Sequence, residues 1–263
     1  MRVLFIGDIV GKPGRAAIRH VLPGLRERFS LDAVVANAEN AAGGFGLTRK
    51  VADELFGLGI HVLTSGNHVW DKKEIVEVME AEERLLRPAN YPPGTPGHGV
   101  FRLELPDGRA LWVINIQGRV LMPPVDCPFR AADALLASIP ADERCILVDM
   151  HAEATSEKRG MGFYLDGRAS LVVGTHTHVP TADAEILPKG TGYLTDAGMT
   201  GPYASIIGME VGDSMQRLLL GVPRILNVGK GGEALGGLFA ELDDATGRCV
   251  ELDPLFIKLQ QNA

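Results

Sequence analysis

The stretch Ser170-Leu171-Val172-Val173-Gly174-Thr175-His176-Thr177-His178 decides how we interpret the fold. Its apolar start, Ser170–Val173, predicts a strand that is buried on both faces, as strands of parallel sheets are. Gly174 then frees the backbone, and His176 and His178 follow two residues apart. In extended geometry, side chains at this spacing point to the same side, so the pair is a candidate metal site. It is weak evidence alone, because many such pairs on surface strands bind nothing.

The first third of the chain alternates predicted strands with predicted helices. Short apolar runs predict strands at Val3–Ile6, Asp32–Ala38 and Ile60–Ser65, and a helical pattern follows each of them. This order is typical of a parallel sheet, in which ligands bind beyond the carboxyl ends of the strands. Polar side chains follow these strands and the later strand Cys145–Met150 at that end: Asp8, Glu39, Asn40, Asn67, His68 and His151.

The rest of the chain predicts more strands than one sheet needs. An Asp-Gly turn signal predicts a hairpin of Val100–Leu105 with Ala110–Asn115. Leu235–Leu242 and Arg248–Ile257 predict a final antiparallel pair. We therefore expect an α/β fold of two packed sheets with helices outside, formed by a single domain that spans residues 1–263. In all, helices are predicted at about 13–28, after Thr48, and at about 71–81, 129–139, 155–164 and 212–220.

The composition indicates a globular protein and excludes several classes of partner. Hydrophobic residues make up 46 % of the 263 residues and charged residues 22 %, with a net charge of −7. These values are ordinary for globular domains. Because Lys and Arg form no block, we expect no stable nucleic-acid binding and no binding to anionic membranes. No apolar run approaches about 18 residues, so no membrane span is predicted.

Cysteine usage indicates a reducing compartment. The three cysteines, Cys127, Cys145 and Cys249, are widely spaced and odd in number, which argues against a disulfide scaffold. Cys145 lies in an apolar strand and is most simply a small buried hydrophobe. The chain enters its first strand at Arg2 without a signal-peptide pattern. We therefore expect a cytoplasmic protein.

The polar residues at the strand ends are more informative together than singly. Taken singly, Asp8 can cap a turn, Asn67 can hold a left-handed turn and Glu39 can be solvated. Together, their carboxylates and amides, with three imidazoles, suit divalent metals such as Fe, Mn, Zn or Co. The donors exceed one tetrahedral site, so we expect two metals, and pairs about 3.5–4 Å apart typically drive phosphoester hydrolysis. The candidate ligands at the strand ends are Asp8, Glu39, Asn67, His151, His176 and His178.

The order of these motifs resembles the metallophosphoesterase superfamily. That order is strand-Gly-Asp, a second carboxylate, Gly-Asn-His, a lone His and Gly-x-His-x-His, and it runs from Gly7 to His178. Over nearly the whole chain, longer motifs resemble the bacterial YmdB-like branch: Gly7-Asp8-Ile9-Val10-Gly11, Ala38-Glu39-Asn40-Ala41, Gly66-Asn67-His68-Val69-Trp70, His151-Ala152-Glu153-Ala154-Thr155-Ser156-Glu157-Lys158 and Thr195-Asp196-Ala197-Gly198-Met199-Thr200-Gly201-Pro202. The resemblance implies a four-layer α/β/β/α sandwich and hydrolysis of phosphodiesters, with 2′,3′-cyclic nucleotides as the expected substrate type.

The chain departs from the superfamily in its first two motifs. Val10 stands where most members have a histidine, and Glu39 stands where most have a bridging aspartate. Resemblance to the narrower branch implies that Asn40 replaces the missing histidine. It further implies one metal held by Asp8, Glu39, Asn40 and His178, and another held by Glu39, Asn67, His151 and His176. Fe and Mn are the first expectation for these positions, with Zn, Co and Mg as alternatives.

The mechanism that the resemblance implies uses both metals and one histidine that is not a ligand. Two divalent cations outweigh the charges of Asp8 and Glu39, so the remaining positive field can bind phosphate and lower the pKa of a bridging water. The resulting hydroxide is expected to attack phosphorus in line with the leaving oxygen. His68 matches the general acid that protonates this oxygen. The alternative for His68 is a structural histidine at a strand–helix junction.

Two neighbouring segments have open roles. Glu153, Ser156 and Lys158 follow His151 and can contact the ligands or phosphate, but helix capping by Thr155 or Ser156 explains this segment equally well. The glycine-rich loop Gly43–Gly46 can flank a nucleoside base. Because it lacks a phosphate-loop lysine, we do not expect a nucleoside triphosphate there.

Other functions remain open with the same residues. A phosphomonoesterase or protein phosphatase would keep the site, and a regulatory protein would keep it only as a residual metal site. Intact candidate ligands and an intact His68 argue against the residual site. The expected partner is a small phosphodiester or nucleotide substrate. A homo-oligomer is left open, with Leu235–Phe239 as either a subunit interface or a buried strand.

Overall fold

The computed structural model describes residues 1–259, and residues 260–263 of the predicted domain lie outside this part. The described part contains six α-helices: α1 (Gly11–Phe29), α2 (Arg49–Gly57), α3 (Ile75–Ala81), α4 (Pro128–Ser138), α5 (Thr155–Leu165) and α6 (Val211–Leu220). Its thirteen strands are β1 (Arg2–Ile6), β2 (Asp8–Ile9), β3 (Ala33–Asn37), β4 (Val62–Thr64), β5 (Val100–Glu104), β6 (Ala110–Gln117), β7 (Ile146–His151), β8 (Leu171–Thr175), β9 (Glu185–Ile186), β10 (Gly192–Leu194), β11 (Met199–Pro202), β12 (Glu233–Leu242) and β13 (Cys249–Lys258). None of the described helices is long and apolar enough to cross a membrane.

Seven strands form the first sheet, in the order β2-β11-β12-β1-β3-β4, and β13 also pairs with β12. The predicted parallel arrangement is confirmed at its centre, because β3 lies parallel to both β1 and β4. The predicted final pair is confirmed as well, since β12 and β13 run antiparallel. The carboxyl ends of β1, β3 and β4 therefore lie at one edge of a mixed sheet.

Six strands form the second sheet, in the order β5-β6-β7-β8-β10-β9. Its centre is parallel from β6 through β7 and β8 to β10. The predicted hairpin is confirmed, because β5 runs antiparallel to β6 along its whole length. The carboxyl ends of β7 and β8 again share one edge, and both of the strands that lead to the three site histidines end there.

Alternating side chains build three separate cores and four layers. Leu4 of β1 packs in a cluster with residues of α1, α2 and α3, on the outside of the first sheet. Phe5, the next residue, packs in a cluster between the two sheets that includes Leu147 of β7. Val148 faces the outside of the second sheet and shares a cluster with Met161 of α5. The layers are therefore helix, sheet, sheet and helix, and the expected α/β/β/α architecture is confirmed.

The structure differs from the prediction where the sequence pattern is short or polar. The helix predicted from residue 71 is a 3₁₀ turn at Val69–Asp71 followed by α3. We did not predict β2 and β11, which pair with each other in parallel, because strands of two and four residues are too short to show alternation. Leu235–Phe239 lies within β12 and is fully buried, so it is a buried strand rather than an exposed face.

Candidate metal centre

Both sheets contribute side chains to one polar cluster beyond the ends of their strands. The first sheet and its loops place Asp8, Glu39, Asn40 and Asn67, and the second places His151, His176 and His178. Five of them are buried, and the other two, Asn67 and His176, are half-buried. Burying this many polar side chains is costly unless they are satisfied by hydrogen bonds or by a bound ion. The structure thus brings all seven candidate ligands together, in two groups.

Asp8, Asn40 and His178 form the first group. The Nε2 atom of His178 lies 3.2 Å from Asn40 Nδ2 and 3.8 Å from Asp8 Oδ1. Its Nδ1 atom lies 2.8 Å from the carbonyl oxygen of Ile207 and donates to it, which leaves the electron pair on Nε2. The buried Oδ1 atoms of Asp8 and Asn40 accept no hydrogen bond. Buried oxygens without a donor require a partner, and a cation fits this need.

Asn67, His151 and His176 form the second group. The Nε2 atom of His151 lies 3.0 Å from Asn67 Oδ1 and 3.2 Å from His176 Nδ1. Behind it, Thr175 Oγ1 donates to Asp149 Oδ1 at 2.6 Å and therefore accepts from His151 Nδ1 at 2.9 Å. This chain places the His151 proton on Nδ1, so the electron pair of Nε2 faces the other donors of its group.

Glu39 lies between the two groups and touches both. Its Oε1 atom accepts from Asn40 Nδ2 at 3.1 Å and lies 3.4 Å from His151 Nε2. Its Oε2 atom accepts from the backbone nitrogen of His68 at 3.0 Å. One ligand atom each of Glu39, His151 and His176 lies within 4.8 Å of the others, a spacing that can hold a metal ion. The arrangement of the donor atoms therefore fits metal binding.

Burial opposes charge on the ionisable side chains of the cluster. It raises the pKa of Asp8 to about 7, and the nearby Asp196 carboxylate adds to this effect. It also raises the pKa of Glu39 well above its usual value, with repulsion from Asp8 as the second cause. Burial lowers the pKa of His176 to about 4 and that of His151 well below its usual value. A divalent cation would favour ionised carboxylates and neutral imidazoles, which is the state that metal ligation needs.

His68 lies beside the cluster rather than within either group. Its ring Nδ1 lies 2.8 Å from Asp71 Oδ2, and its side chain is 32 % exposed. Phe45 packs against it edge-on, with ring centroids 5.1 Å apart. Asp71 holds a proton on Nδ1 and leaves Nε2 available for proton transfer. His68 is therefore a partly accessible imidazole, oriented by a carboxylate, next to the candidate ligand Asn67.

The backbone of His176 and His178 is not extended, so the geometry that we predicted from their spacing is wrong. Their φ angles are 97° and 65°, in the left-handed region that non-glycine residues seldom adopt. As a result, the two rings separate: His176 faces His151, whereas His178 faces Asn40. The pair thus serves both groups of donors instead of one.

A buried ion pair fixes the residue between these two histidines. Asp196 Oδ2 accepts from Lys158 Nζ at 2.6 Å, and from Thr177 through its backbone nitrogen at 3.2 Å and its hydroxyl at 2.6 Å. Asp196 Oδ1 accepts from the backbone nitrogen of Gly198 at 2.8 Å. Both charged side chains of this Lys158–Asp196 pair are fully buried. Lys158 is therefore part of the interior and is not exposed to a phosphate.

The structure also shows the surroundings of four other residues that the sequence singled out. Glu153 Oε2 lies 3.1 Å from His176 Nε2, so it contacts a candidate ligand. Helix α5 begins after Ala154 without a side-chain cap, so capping by Thr155 or Ser156 is not observed. Val10, which replaces the superfamily's histidine, is buried in a small apolar cluster with residues that include Met199 and Met209.

Sequence reasoning missed three aspartates that orient the candidate centre: Asp71, Asp149 and Asp196. Asp71 follows His68 by three residues, a spacing that brings side chains together in a helical turn. Asp149 precedes His151 by two residues in one strand, so both side chains face the same side. The sequence signal for Asp149 was a carboxylate inside an otherwise apolar strand. Asp196 lies in a quoted motif, but its partner Lys158 is 38 residues away, and no local pattern reveals that contact.

Comparisons with known proteins show the family to which the chain belongs. The model of the YmdB-like protein family matches residues 4–255. The 2′,3′-cyclic-nucleotide 2′-phosphodiesterase of Bacillus subtilis is 47 % identical over 257 residues, which cover 98 % of this chain and 97 % of that protein. A hypothetical protein from Thermus thermophilus has the same fold with a TM-score of 0.92 and 48 % identity, over 98 % of this chain and 99 % of that chain. A Mycoplasma pneumoniae structure described as a novel phosphatase has a TM-score of 0.92 and 33 % identity, over 98 % and 93 % of the two chains. The chain belongs to the YmdB-like protein family.

Proposed function

We propose that the chain is a dinuclear metal-dependent phosphodiesterase that hydrolyses 2′,3′-cyclic nucleotides. The observation that carries the proposal is the position of Glu39, a buried carboxylate in contact with both groups of donors, with the accessible imidazole of His68 beside it. The substrate type is supported by the relative at 47 % identity, which is named a 2′,3′-cyclic-nucleotide 2′-phosphodiesterase.

The proposed ligands follow the two groups, with Glu39 shared. One metal would be held by Asp8, Glu39, Asn40 and His178, and the other by Glu39, Asn67, His151 and His176. Rotating the Asn40 amide exchanges its nitrogen and oxygen, and this would place the unpartnered Oδ1 beside His178. Mixed nitrogen and oxygen donors suit Fe and Mn, which we propose first, with Zn, Co and Mg as alternatives.

The chain's own side chains supply the proton transfer and the binding surface. When bound, two divalent cations would provide positive charge for the phosphate and activate water. His68 would donate a proton from Nε2 to the leaving ribose oxygen, because Asp71 occupies its Nδ1. Asp71 would also hold the ring in this orientation. Phe45, which packs against His68, would flank the nucleoside base.

The decisive assay compares wild type and His68→Ala on two substrates that differ in leaving group. A ribose alkoxide needs protonation, so turnover of a 2′,3′-cyclic nucleotide should fall by about 10²–10⁴-fold. A p-nitrophenolate is stable without a proton, so bis-p-nitrophenyl phosphate should be affected much less. Metal content is measured in both proteins and should be unchanged. Equal losses on the two substrates would show that His68 positions the phosphate or Asn67 instead.

Two measurements test the metal centre separately. Elemental analysis after reconstitution should find about two transition-metal ions per chain, and no bound metal would refute the dinuclear proposal. Anomalous scattering should show that Asn67→Ala or His151→Ala empties one position, while Asp8→Ala or His178→Ala empties the other. Faster turnover of the mono- than of the bis-p-nitrophenyl ester would favour a phosphomonoesterase.

Two broader expectations are also part of the proposal. The single domain predicted over residues 1–263 is consistent with the continuous core between the sheets. A reducing, cytoplasmic location is supported by Cys127, Cys145 and Cys249, which are free thiols.

A further inference from the structure

A cavity of about 900 Å³ lies at the amino ends of the parallel strands of the second sheet. Its walls include Ile146, the first residue of β7, and Ala169, which lies two residues before β8. The candidate metal centre lies at the carboxyl ends of the same strands. Because β7 has six residues and a strand rises about 3.3 Å per residue, the two places are about 17 Å apart along the strand. The cavity is therefore distinct from the metal centre.

The lining of this cavity is positively charged, although the chain as a whole has a net charge of −7. The basic residues that line it are Arg144, Arg168, Lys189 and Arg248, and the acidic ones are Asp133 and Glu143. Both acidic side chains already have a cation. Asp133 pairs with Arg168 at 2.7 Å. Glu143 pairs with Arg102 at 2.6 Å. Within residues 1–259, Arg144, Lys189 and Arg248 form no ion pair, so the cavity favours an anion.

Contacts between loops hold two of these three cations at the cavity. Gly190 has a φ of 101°, and a Cβ atom there would lie 2.7 Å from Cγ of Arg248. Gly167 has a φ of 79°, and a Cβ atom there would lie 2.9 Å from Cβ of Lys189. The aliphatic stems of both cations therefore pack directly on glycine backbone. The backbone nitrogen of Lys189 also donates to the Asp166 carboxylate at 3.1 Å, which fastens the two loops together.

Another part of the lining is apolar. Leu136, Ile139 and Pro140, at the end of α4 and just beyond it, all contribute to the walls. Ligand sites of about 300–1,000 Å³ typically combine apolar surface with a few polar groups that fix orientation. Arginine binds phosphate through two parallel hydrogen bonds, and lysine binds it as a point charge. The volume and the lining therefore suit an organic phosphate with a flat apolar body.

We propose that this cavity binds a nucleoside diphosphate, with its phosphates at Arg144, Lys189 and Arg248 and its base against the apolar wall. A terminal phosphate carries a charge of about −1.5 to −2 at pH 7, and the inner phosphate of a diphosphate adds one more. Three unpaired cations match this total charge. The cavity takes no part in the proposed hydrolysis, so its ligand would bind whether or not the metal centre acts on cyclic nucleotides.

Isothermal titration calorimetry of the metal-loaded full chain with α,β-methylene-ADP tests the proposal. The two phosphorus atoms of this probe are joined through carbon, so the bridge between them is not hydrolysed. Lys189→Glu and Arg248→Glu should each weaken binding at least about 10-fold, because each removes a hydrogen bond between charged groups. Lys50→Glu is the matched control, since Lys50 is an exposed cation on α2, outside the first sheet. It should leave the affinity unchanged.

A second probe, methylenediphosphonate, presents the same phosphorus groups without the nucleoside. It should bind at least about 10-fold more weakly than α,β-methylene-ADP, because it buries no base against the apolar wall. Equal affinity for the two probes would overturn the nucleoside assignment. No detectable binding of α,β-methylene-ADP at millimolar concentration would overturn the proposal as a whole.

The variants also show where the probe binds. Binding that neither Lys189→Glu nor Arg248→Glu weakens overturns the proposal, and its loss in His176→Ala would place the probe at the metal centre instead. Both cavity variants should hydrolyse bis-p-nitrophenyl phosphate at the wild-type rate, so a failure of the proposed hydrolysis is a separate result. If Arg248→Glu disturbs the fold by circular dichroism, Arg248→Gln replaces it, because glutamine keeps part of the stem that packs on Gly190.

Discussion

Replacing Lys158 by methionine tests whether the buried Lys158–Asp196 pair holds the candidate metal centre together. Methionine keeps most of the aliphatic volume and removes the charge. Asp196 would then be a buried carboxylate without its cation, although it would keep the donors of Thr177 and Gly198. Because Thr177 lies between His176 and His178, we expect both stability and metal binding to suffer.

The size of the loss follows from burial. Both side chains of the pair are fully buried, and removing one partner of such a pair costs about 3–5 kcal/mol. Three hydrogen-bond donors to Asp196 remain, so we expect the lower end, about 3 kcal/mol in the free energy of unfolding. For a chain of this size, that corresponds to a fall in Tm of about 6–12 °C.

The assay is thermal and denaturant unfolding of wild type and variant in the same metal-loaded state, with metal content measured in each. Arg159→Met is the matched control on the same helix. Arg159 pairs with Glu185 at the surface, where their side chains are 37 % and 43 % exposed, so its loss should cost less than about 1 kcal/mol. If Lys158→Met lowers the free energy of unfolding no more than Arg159→Met does, and if it keeps its metal, the Lys158–Asp196 pair does not hold residues 176–178 in place.

Three further outcomes follow from the described contacts. Glu39→Ala should lose most of the bound metal at both positions, and elemental analysis showing loss of only one ion would contradict a shared ligand. Asp71→Asn should lower kcat for a cyclic nucleotide by about 10–100-fold with metal retained, whereas an unchanged rate would show that the His68–Asp71 contact is not used. Burial and nearby arginines lower the pKa of His61, so the unfolded chain binds a proton at this residue more readily than the folded chain does. The contribution of neutral His61 to stability is therefore lost as pH falls below 6.5. Unfolding measured against pH should show a smaller loss in His61→Gln than in wild type and His20→Gln, and identical slopes in all three would refute the assignment.

The sequence predicted the layers and the members of the candidate centre because both depend on simple local patterns. Apolar runs such as Val3–Ile6 fix strands, and a parallel sheet gathers the residues that follow its strands. Asp8, Glu39 and Asn67 could therefore be placed near one another without knowing any contact. The α/β/β/α order came from the family resemblance, and the three cores confirm it.

The remaining features depend on contacts between distant parts of the chain. The left-handed backbone of His176 and His178 is held through Asp196, and that side chain is in turn held by Lys158, 38 residues earlier. The 3₁₀ turn Val69–Asp71, which presents Asp71 to His68, precedes the helix predicted from residue 71 and was not predicted. Neither feature changes the local pattern of apolar residues, so neither could be predicted from it.

The candidate centre draws its donors from both sheets, and Asp8 contacts His176 across 168 residues of sequence. If the metals bind there as proposed, they fasten one sheet to the other, and their binding energy becomes folding energy. A chain without metal would open more often along this seam and would be exposed to proteases for a larger fraction of its lifetime. Metal scarcity would then reduce the amount of the protein in the cell as well as its specific activity, because the metal-free chain would be degraded faster.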